Sequence, residues 1–117
     1  MKLREQRRLV RAGGLLALAL ALGAGGPARA ADPAAGRDKA RVCQVCHGMD
    51  GIGRMPDVPN IAGDSEIYLA KQLNDYRSGE RRHEQMSIIG AGLSDQEFAD
   101  LAAYYASMEY AVTVPEH

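Results

Sequence analysis

The sequence predicts an all-α domain of three to four helices joined by long loops. Three observations carry that prediction. Helical periodicity with capping residues marks three segments. Two connections hold too much glycine, proline or charge for regular structure. No segment has a convincing strand pattern.

The N-terminus stands apart from that domain. Residues 1–11 are basic, with Lys2, Arg4, Arg7, Arg8 and Arg11. An apolar run follows, densest from Leu15 to Leu22, and then Gly25, Gly26, Pro27 and the small-residue pattern Ala28-Arg29-Ala30. Basic end, short apolar centre and A-x-A site together form a secretory signal. The run is shorter than the roughly 20 residues that span a bilayer. Retention as an anchor is the alternative to cleavage after Ala30. The expected organisation is a signal over 1–30, a folded domain over 31–109 and a tail over 110–117.

Cleavage changes the charge. The whole chain carries 14 Lys and Arg against 15 Asp and Glu, a net −1. Residues 31–117 keep eight basic and 14 acidic side chains, a net −6. Such a chain is a poor partner for nucleic acid or anionic membranes. Its charge favours solubility and a basic patch on a protein partner. The 87 residues of that part include a single Phe, Phe98, and no Trp, a small supply of core. Small domains need a staple, and a large buried cofactor would supply one.

The elements follow in order. Asp32-Pro33 caps and opens a helix that runs toward Cys46. Gly36, Ala40 and Cys43 form a narrow small-residue stripe suited to close helix contact. Residues 48–63 hold Gly48, Gly51, Gly53, Pro56, Pro59 and Gly63, and read as loop. Asp64 or Ser65 caps a second helix over 66–77, with Ile67, Leu69, Ala70, Leu73 and Tyr76 as its apolar positions. Ser78-Gly79 ends it. Residues 79–92 read as irregular, with at most one helical turn near Met86, Ile88 and Ile89. Ser94 and Glu97 make a capping box for the last helix, with Leu93 and Phe98 as its hydrophobic staple. Phe98, Leu101, Ala102, Tyr105 and Met108 then keep a helical period to about Glu109.

The chemistry lies in Cys43-Gln44-Val45-Cys46-His47, a C-x-x-C-H pattern for covalent haem attachment. Two thiols three positions apart reach the two vinyl groups of one porphyrin, and the next residue, His47, is carried beneath the iron. One such pattern, with no internal repeat, argues for one haem c. A structural zinc site wants four ligands, and no second Cys pair accompanies this one. A thioredoxin-type disulfide expects a βαβ unit, which this chain lacks.

These residues belong to a longer ordered set. After Cys43–Gly48 come Asp50-Gly51-x-Gly53, Pro59-Asn60-Ile61-Ala62-Gly63, Tyr68, Gln72-Leu73, Arg77-Ser78-Gly79-Glu80-Arg81, a Met, Leu93-Ser94-Asp95 and Leu101-Ala102-Ala103-Tyr104-Tyr105. Over about 34–108 the chain resembles the bacterial class I c-type cytochromes. It is especially similar to one half of the dihaem members and to haem subunits of flavocytochrome sulfide dehydrogenases. The resemblance implies His47 as proximal ligand and a Met sulfur opposite. Met86 matches that Met, seven residues before Leu93, although the Pro that often neighbours it is missing here. Irregular chain about 40 residues beyond His47 can wrap to the far haem face, which agrees with Met86; Met49 and Met55 lie too near His47. His83 is the competing distal ligand. Pro59 matches the residue whose carbonyl accepts from the proximal imidazole. The resemblance also implies closely crossing terminal helices, for which Gly36 and Ala40 against Leu101 and Tyr104 are the candidates. Arg54, Arg77, Arg81 and Arg82 are the cations available to haem propionates.

His/Met ligation would leave no open iron position, which favours electron transfer over catalysis. The expected function is a periplasmic single-haem electron carrier, not an enzyme. It would work between a dehydrogenase or quinol-oxidising complex and a terminal acceptor. One alternative is a dedicated haem subunit of a dehydrogenase, with the apolar tail Ala111–Pro115 as a docking segment. Another, from a different class, is a gas-binding or peroxidatic haem protein, which needs an open distal position.

Overall fold

Asp32 and Pro33 open the first helix as their chemistry dictates. In the computed structural model, which describes residues 29–116, Asp32 is extended and its carboxylate accepts from the Ala34 and Ala35 N–H groups. Pro33, which has no N–H to lose, takes the first helical position of α1 (Pro33–Lys39). The signal expected over 1–30 falls almost wholly outside the described residues. The path to Cys46 is not one continuous helix. It tightens into a 3-10 turn at Ala40–Val42 and resumes as the short α2 (Gln44–His47).

Ser65, not Asp64, caps α3 (Glu66–Ser78) by accepting from the Tyr68 N–H at 3.1 Å. Gly79 closes that helix in the left-handed conformation. Of the apolar positions expected there, Leu69 is buried and Ala70 and Leu73 pack on the core, whereas Ile67 is 85% exposed. Ile67 is two positions, or about 200° of helix, from Leu69, and so lies on the face of α3 turned away from the core.

Residues 84–91 correct the sequence reading. They form α4 (Glu84–Ala91), two turns long, not an irregular stretch with a single turn. The missed signal is its cap: His83 Nδ1 accepts from the Met86 N–H at 3.3 Å, a role usually filled by Ser, Thr, Asp or Asn. Gly90 then lets α4 lie against α3, within contact of the Leu73 carbonyl and the Arg77 amide.

The last helix, α5 (Asp95–Ala106), has the expected capping box, with Ser94 Oγ on the Glu97 N–H and Glu97 Oε2 on the Ser94 N–H. Leu93 and Phe98 are both buried, as a staple requires. The core gathers on this helix: Ala40, Leu69, Leu93, Phe98, Leu101, Ala102 and Tyr105. Leu101 is its most enclosed large side chain, 2% exposed. Full burial of such a side chain is worth about 1.5–3 kcal/mol.

The tightest contact in the fold joins α1 to α5. A Cβ on Gly36 would stand 1.9 Å from the Asp100 carbonyl oxygen and 2.9 Å from Tyr104 Cβ. The small-residue stripe therefore does what its spacing suggests, with α5 backbone as well as Tyr104 as its counterpart. No helix among the described residues is long and apolar enough to cross a membrane, and no strand occurs among them.

Gly36→Ala is expected to lower unfolding free energy by about 1–3 kcal/mol, because backbone must move to admit the methyl. Gly92→Ala is the control. Its nearest obstacle is 3.6 Å away and its φ is −87°, so urea midpoints should show little loss or a small gain. A second expectation concerns acid. Glu97 is held below its ordinary carboxyl value first by Lys39 and then by the Ser94 N–H. That contribution is complete above the unfolded carboxyl pKa, about 4.3, and is lost as pH falls through the lower folded value. Glu97→Gln should therefore be less stable than the native chain at pH 7, with the gap narrowing in acid.

Candidate functional site

His47 ends α2 and is one of the few buried polar side chains, 8% exposed. A buried imidazole needs a partner for its ring N–H. Its Nδ1 lies 3.0 Å from the Pro59 carbonyl oxygen, across the glycine-rich loop. A carbonyl can only accept, so Nδ1 carries the hydrogen and the Nε2 lone pair is left available to a metal.

The loop is built to deliver that carbonyl. The Arg54 N–H returns to the Cys46 carbonyl at 2.8 Å, and the Asn60 side chain accepts from the Gly53 N–H at 2.8 Å. The Gly51 carbonyl accepts from both Ile61 and Ala62. Gly51 has φ +70°, and a Cβ there would meet the Ala62 backbone at 2.7 Å, so only glycine fits. The Gly63 N–H then donates to the Tyr105 carbonyl and ties the end of the loop to α5.

Two adjacent tyrosines on α5 complete the frame. Tyr105 donates its hydroxyl to the Gly48 carbonyl at 3.1 Å, and Tyr104 donates to the Met49 carbonyl at 2.8 Å. These carbonyls immediately follow His47, where α2 leaves its last C=O groups without helical partners. Periodicity marked Tyr105 as core, and the family resemblance offered Tyr104 as a helix contact; their hydrogen-bonding role was not read. An adjacent pair of phenols on the last helix, facing unpaired C=O groups after the C-x-x-C-H turn, was the available signal.

Cys43 and Cys46 are both free thiols and partly buried. Cys43 packs on the core beside Tyr105. Burial, opposed in part by the Tyr105 hydroxyl, pushes the Cys43 thiol up to about 11. Burial, together with the neighbouring Cys43, pushes the Tyr105 phenol well above its usual range. Among the described residues no group of three or more His, Cys, Asp or Glu is placed to hold a metal ion, which gives the zinc reading no support.

Met86 is half-buried in the first turn of α4, whose main packing is against α3. It is thus on a helix, where irregular chain was expected. His83 caps that same helix from an exposed position and stacks edge-on to Tyr76. Three of the four arginines offered for propionates are already engaged: Arg54 with Asp50, Arg77 with Asp95 and over the Phe98 ring, and Arg81 with Gln72 and over the Tyr76 ring.

Comparison with known proteins matches this geometry. The family model described as cytochrome c covers residues 34–109. The chain is 48% identical over 99 residues to cytochrome c4 of Pseudomonas aeruginosa, covering 84% of this chain and 49% of that one. It is 46% identical over 83 residues to cytochrome c-554(548) of Halomonas halodenitrificans, covering 68% of this chain and all of that one. The thiosulfate dehydrogenase structure from Marichromatium purpuratum superposes with a TM-score of 0.63 at 33% identity, over 76% of this chain and 22% of that one. The chain spans about half the length of the cytochrome c4 it matches.

Tyr105→Phe is expected to cost about 1–3 kcal/mol, since it leaves the buried Gly48 carbonyl without its donor. Tyr104→Phe should cost less, because its site is half-buried and water can replace the hydroxyl. Guanidinium unfolding of both variants checks the order.

Proposed function

The chain belongs to the cytochrome c family, and on that premise we propose that it is an exported electron carrier with His47 and Met86 as iron ligands. Its cofactor is one covalently attached haem c, as the family and its C-x-x-C-H pattern require. When bound, haem c supplies a one-electron ferric/ferrous couple. Cys43 and Cys46 are the two thiols for its thioether bonds. The observation that carries the reading is the His47 Nδ1 contact with the Pro59 carbonyl. It selects the tautomer that leaves Nε2 free, holds the ring plane and raises ligand basicity.

Met86 supplies a neutral thioether, which favours a higher reduction potential than a second imidazole would. His47 and Met86 would hold the iron between them and leave no open position for a substrate, which favours electron transfer over catalysis. The chain then acts by holding its ligands still between oxidation states. The signal over residues 1–30 supports a periplasmic location. The net −6 of residues 31–117 supports steering toward a basic patch on a donor dehydrogenase or quinol-oxidising complex and on a terminal acceptor.

A second reading, as the haem subunit of a dehydrogenase, is favoured by one finding, the fold shared with part of a thiosulfate dehydrogenase. Isolation from the native host separates the two. A free carrier elutes alone, and a subunit elutes with a larger catalytic chain.

Optical spectra of the haem-loaded protein test the ligand set. The oxidised protein should show a sulfur-to-ferric-iron charge-transfer band that vanishes in Met86→Ala and persists in His83→Ala. A native protein that lacks the band, and whose haem spectrum changes in His83→Ala but not in Met86→Ala, would transfer the distal role to His83. A native protein without the band that takes up carbon monoxide readily when reduced would point to gas-binding or peroxidatic chemistry.

A further inference from the structure

Asp100 lies in the middle of α5 with its side chain turned into the α1 contact, and the residue is 4% exposed. A carboxylate so enclosed needs full hydrogen bonding and a counter-charge. Its Oδ1 accepts from the Asp32 N–H at 2.8 Å and from Gln96 Nε2 at 2.9 Å. Its Oδ2 accepts from Arg29 Nη2 at 2.8 Å. Burial pushes the carboxyl upward, but these three donors outweigh it and hold Asp100 below its ordinary value. Only Arg29 brings a positive charge.

Arg29 lies on the leader side of the Ala30–Ala31 bond, the cleavage point of the A-x-A pattern. Cleavage there removes the guanidinium and leaves Oδ2 without a donor. The same reaction creates a replacement. Water splits the amide, its oxygen leaves on the Ala30 carboxylate with the leader, and the Ala31 nitrogen becomes an ammonium. An export-associated leader protease catalyses the step. The Ala30 carbonyl accepts, at 3.4 Å, from the same Gln96 nitrogen that serves Asp100 Oδ1. The next peptide N–H, that of Asp32, is already on the carboxylate. The Ala30–Ala31 peptide therefore lies alongside Asp100.

We propose that Asp100 is the receptor for the processed N-terminus: the α-ammonium of Ala31 takes the Oδ2 position that Arg29 holds in the uncut chain. This rests on the exported-carrier reading. The charge balance is the same before and after cleavage. Among the described residues no other cation pairs with the carboxylate. The Asp32 carboxylate is committed to the Ala34 and Ala35 N–H groups, Lys39 pairs with Glu97 one turn away, and Gln96 is uncharged. The ammonium is stabilised in the folded state, so its contribution is complete below the free α-amino pKa of about 7.7–8.0. It fades as pH rises through the higher folded value.

The full chain is expressed in a host that attaches haem c, and the exported holoprotein is purified. Intact mass should place the first residue at Ala31, and a mass retaining Arg29 overturns the proposal. NMR titration of the Ala31 α-nitrogen should give a pKa about one pH unit or more above the free value. Asp100→Asn should return it to the ordinary range. An Ala inserted between Ala31 and Asp32, which leaves Asp100 intact but displaces the ammonium, should do the same. An ordinary value in the native protein, or a raised value that survives the insertion, overturns the proposal. The haem spectrum separates the two readings. An ordinary α-amine beside a normal haem spectrum defeats this inference alone, and failure of haem attachment defeats the carrier reading alone.

Discussion

The crossing of α1 over α5 is the contact on which the rest of the structure depends. With a hydrogen where other residues carry a side chain, Gly36 brings α1 onto the Asp100 carbonyl. That approach buries Ala40 completely and seats Cys43 against the core. It also brings Tyr104 and Tyr105 within reach of the carbonyls that follow His47. A wider crossing would separate the phenols from Gly48 and Met49 and loosen the loop that carries Pro59. The crossing closes the first described helix on the last, so the site between them inherits its rigidity from a helix contact.

Polar satisfaction follows the same geometry. Among the described residues no buried side-chain nitrogen or oxygen lacks a partner, and several partners come from far along the chain. Pro59 serves His47, and the entry to α1 serves Asp100. In a chain with one Phe and no Trp, the apolar core is modest. Such bonds set the register of loop and helix ends, a job that packing alone would leave loose.

Much of this was legible in the residues, and the exceptions have physical causes. The Asp32-Pro33 start, the Ser94/Glu97 box and the Gly79 stop are local devices whose spacing is their mechanism, and all three stand where expected. The partner of His47 was not legible in the residues themselves: the family resemblance implied Pro59, whose carbonyl lies 3.0 Å from Nδ1. Residues 84–91 were missed because their helix starts on a histidine cap and ends among glycines, signals that read locally as loop. Ile67 was misplaced because it was counted with Leu69, Ala70 and Leu73 although it stands about 200° from Leu69, on the opposite face of the helix. The tyrosine clamp was missed because a helical period counts Tyr as apolar, and its hydroxyl partner lies more than 50 residues away.

The two sides of the proposed iron site are built to different stiffness. His47 is fixed by its place at the end of α2, by the Pro59 carbonyl and by a loop tied at Cys46, Gly51 and Tyr105. It also directly follows Cys46, one of the two residues that thioether bonds would anchor. Met86 has one short helix beneath it, capped through a 3.3 Å histidine contact and laid on α3 at Gly90. A change that weakens the domain therefore meets less resistance on the Met86 side, because fewer long-range bonds must break to move α4 than to move α2. An electron carrier needs its ligands to hold through each change of iron charge. In the proposed site the proximal side would meet that need with covalent and hydrogen bonds, and the distal side would depend on α3 and α4 staying packed.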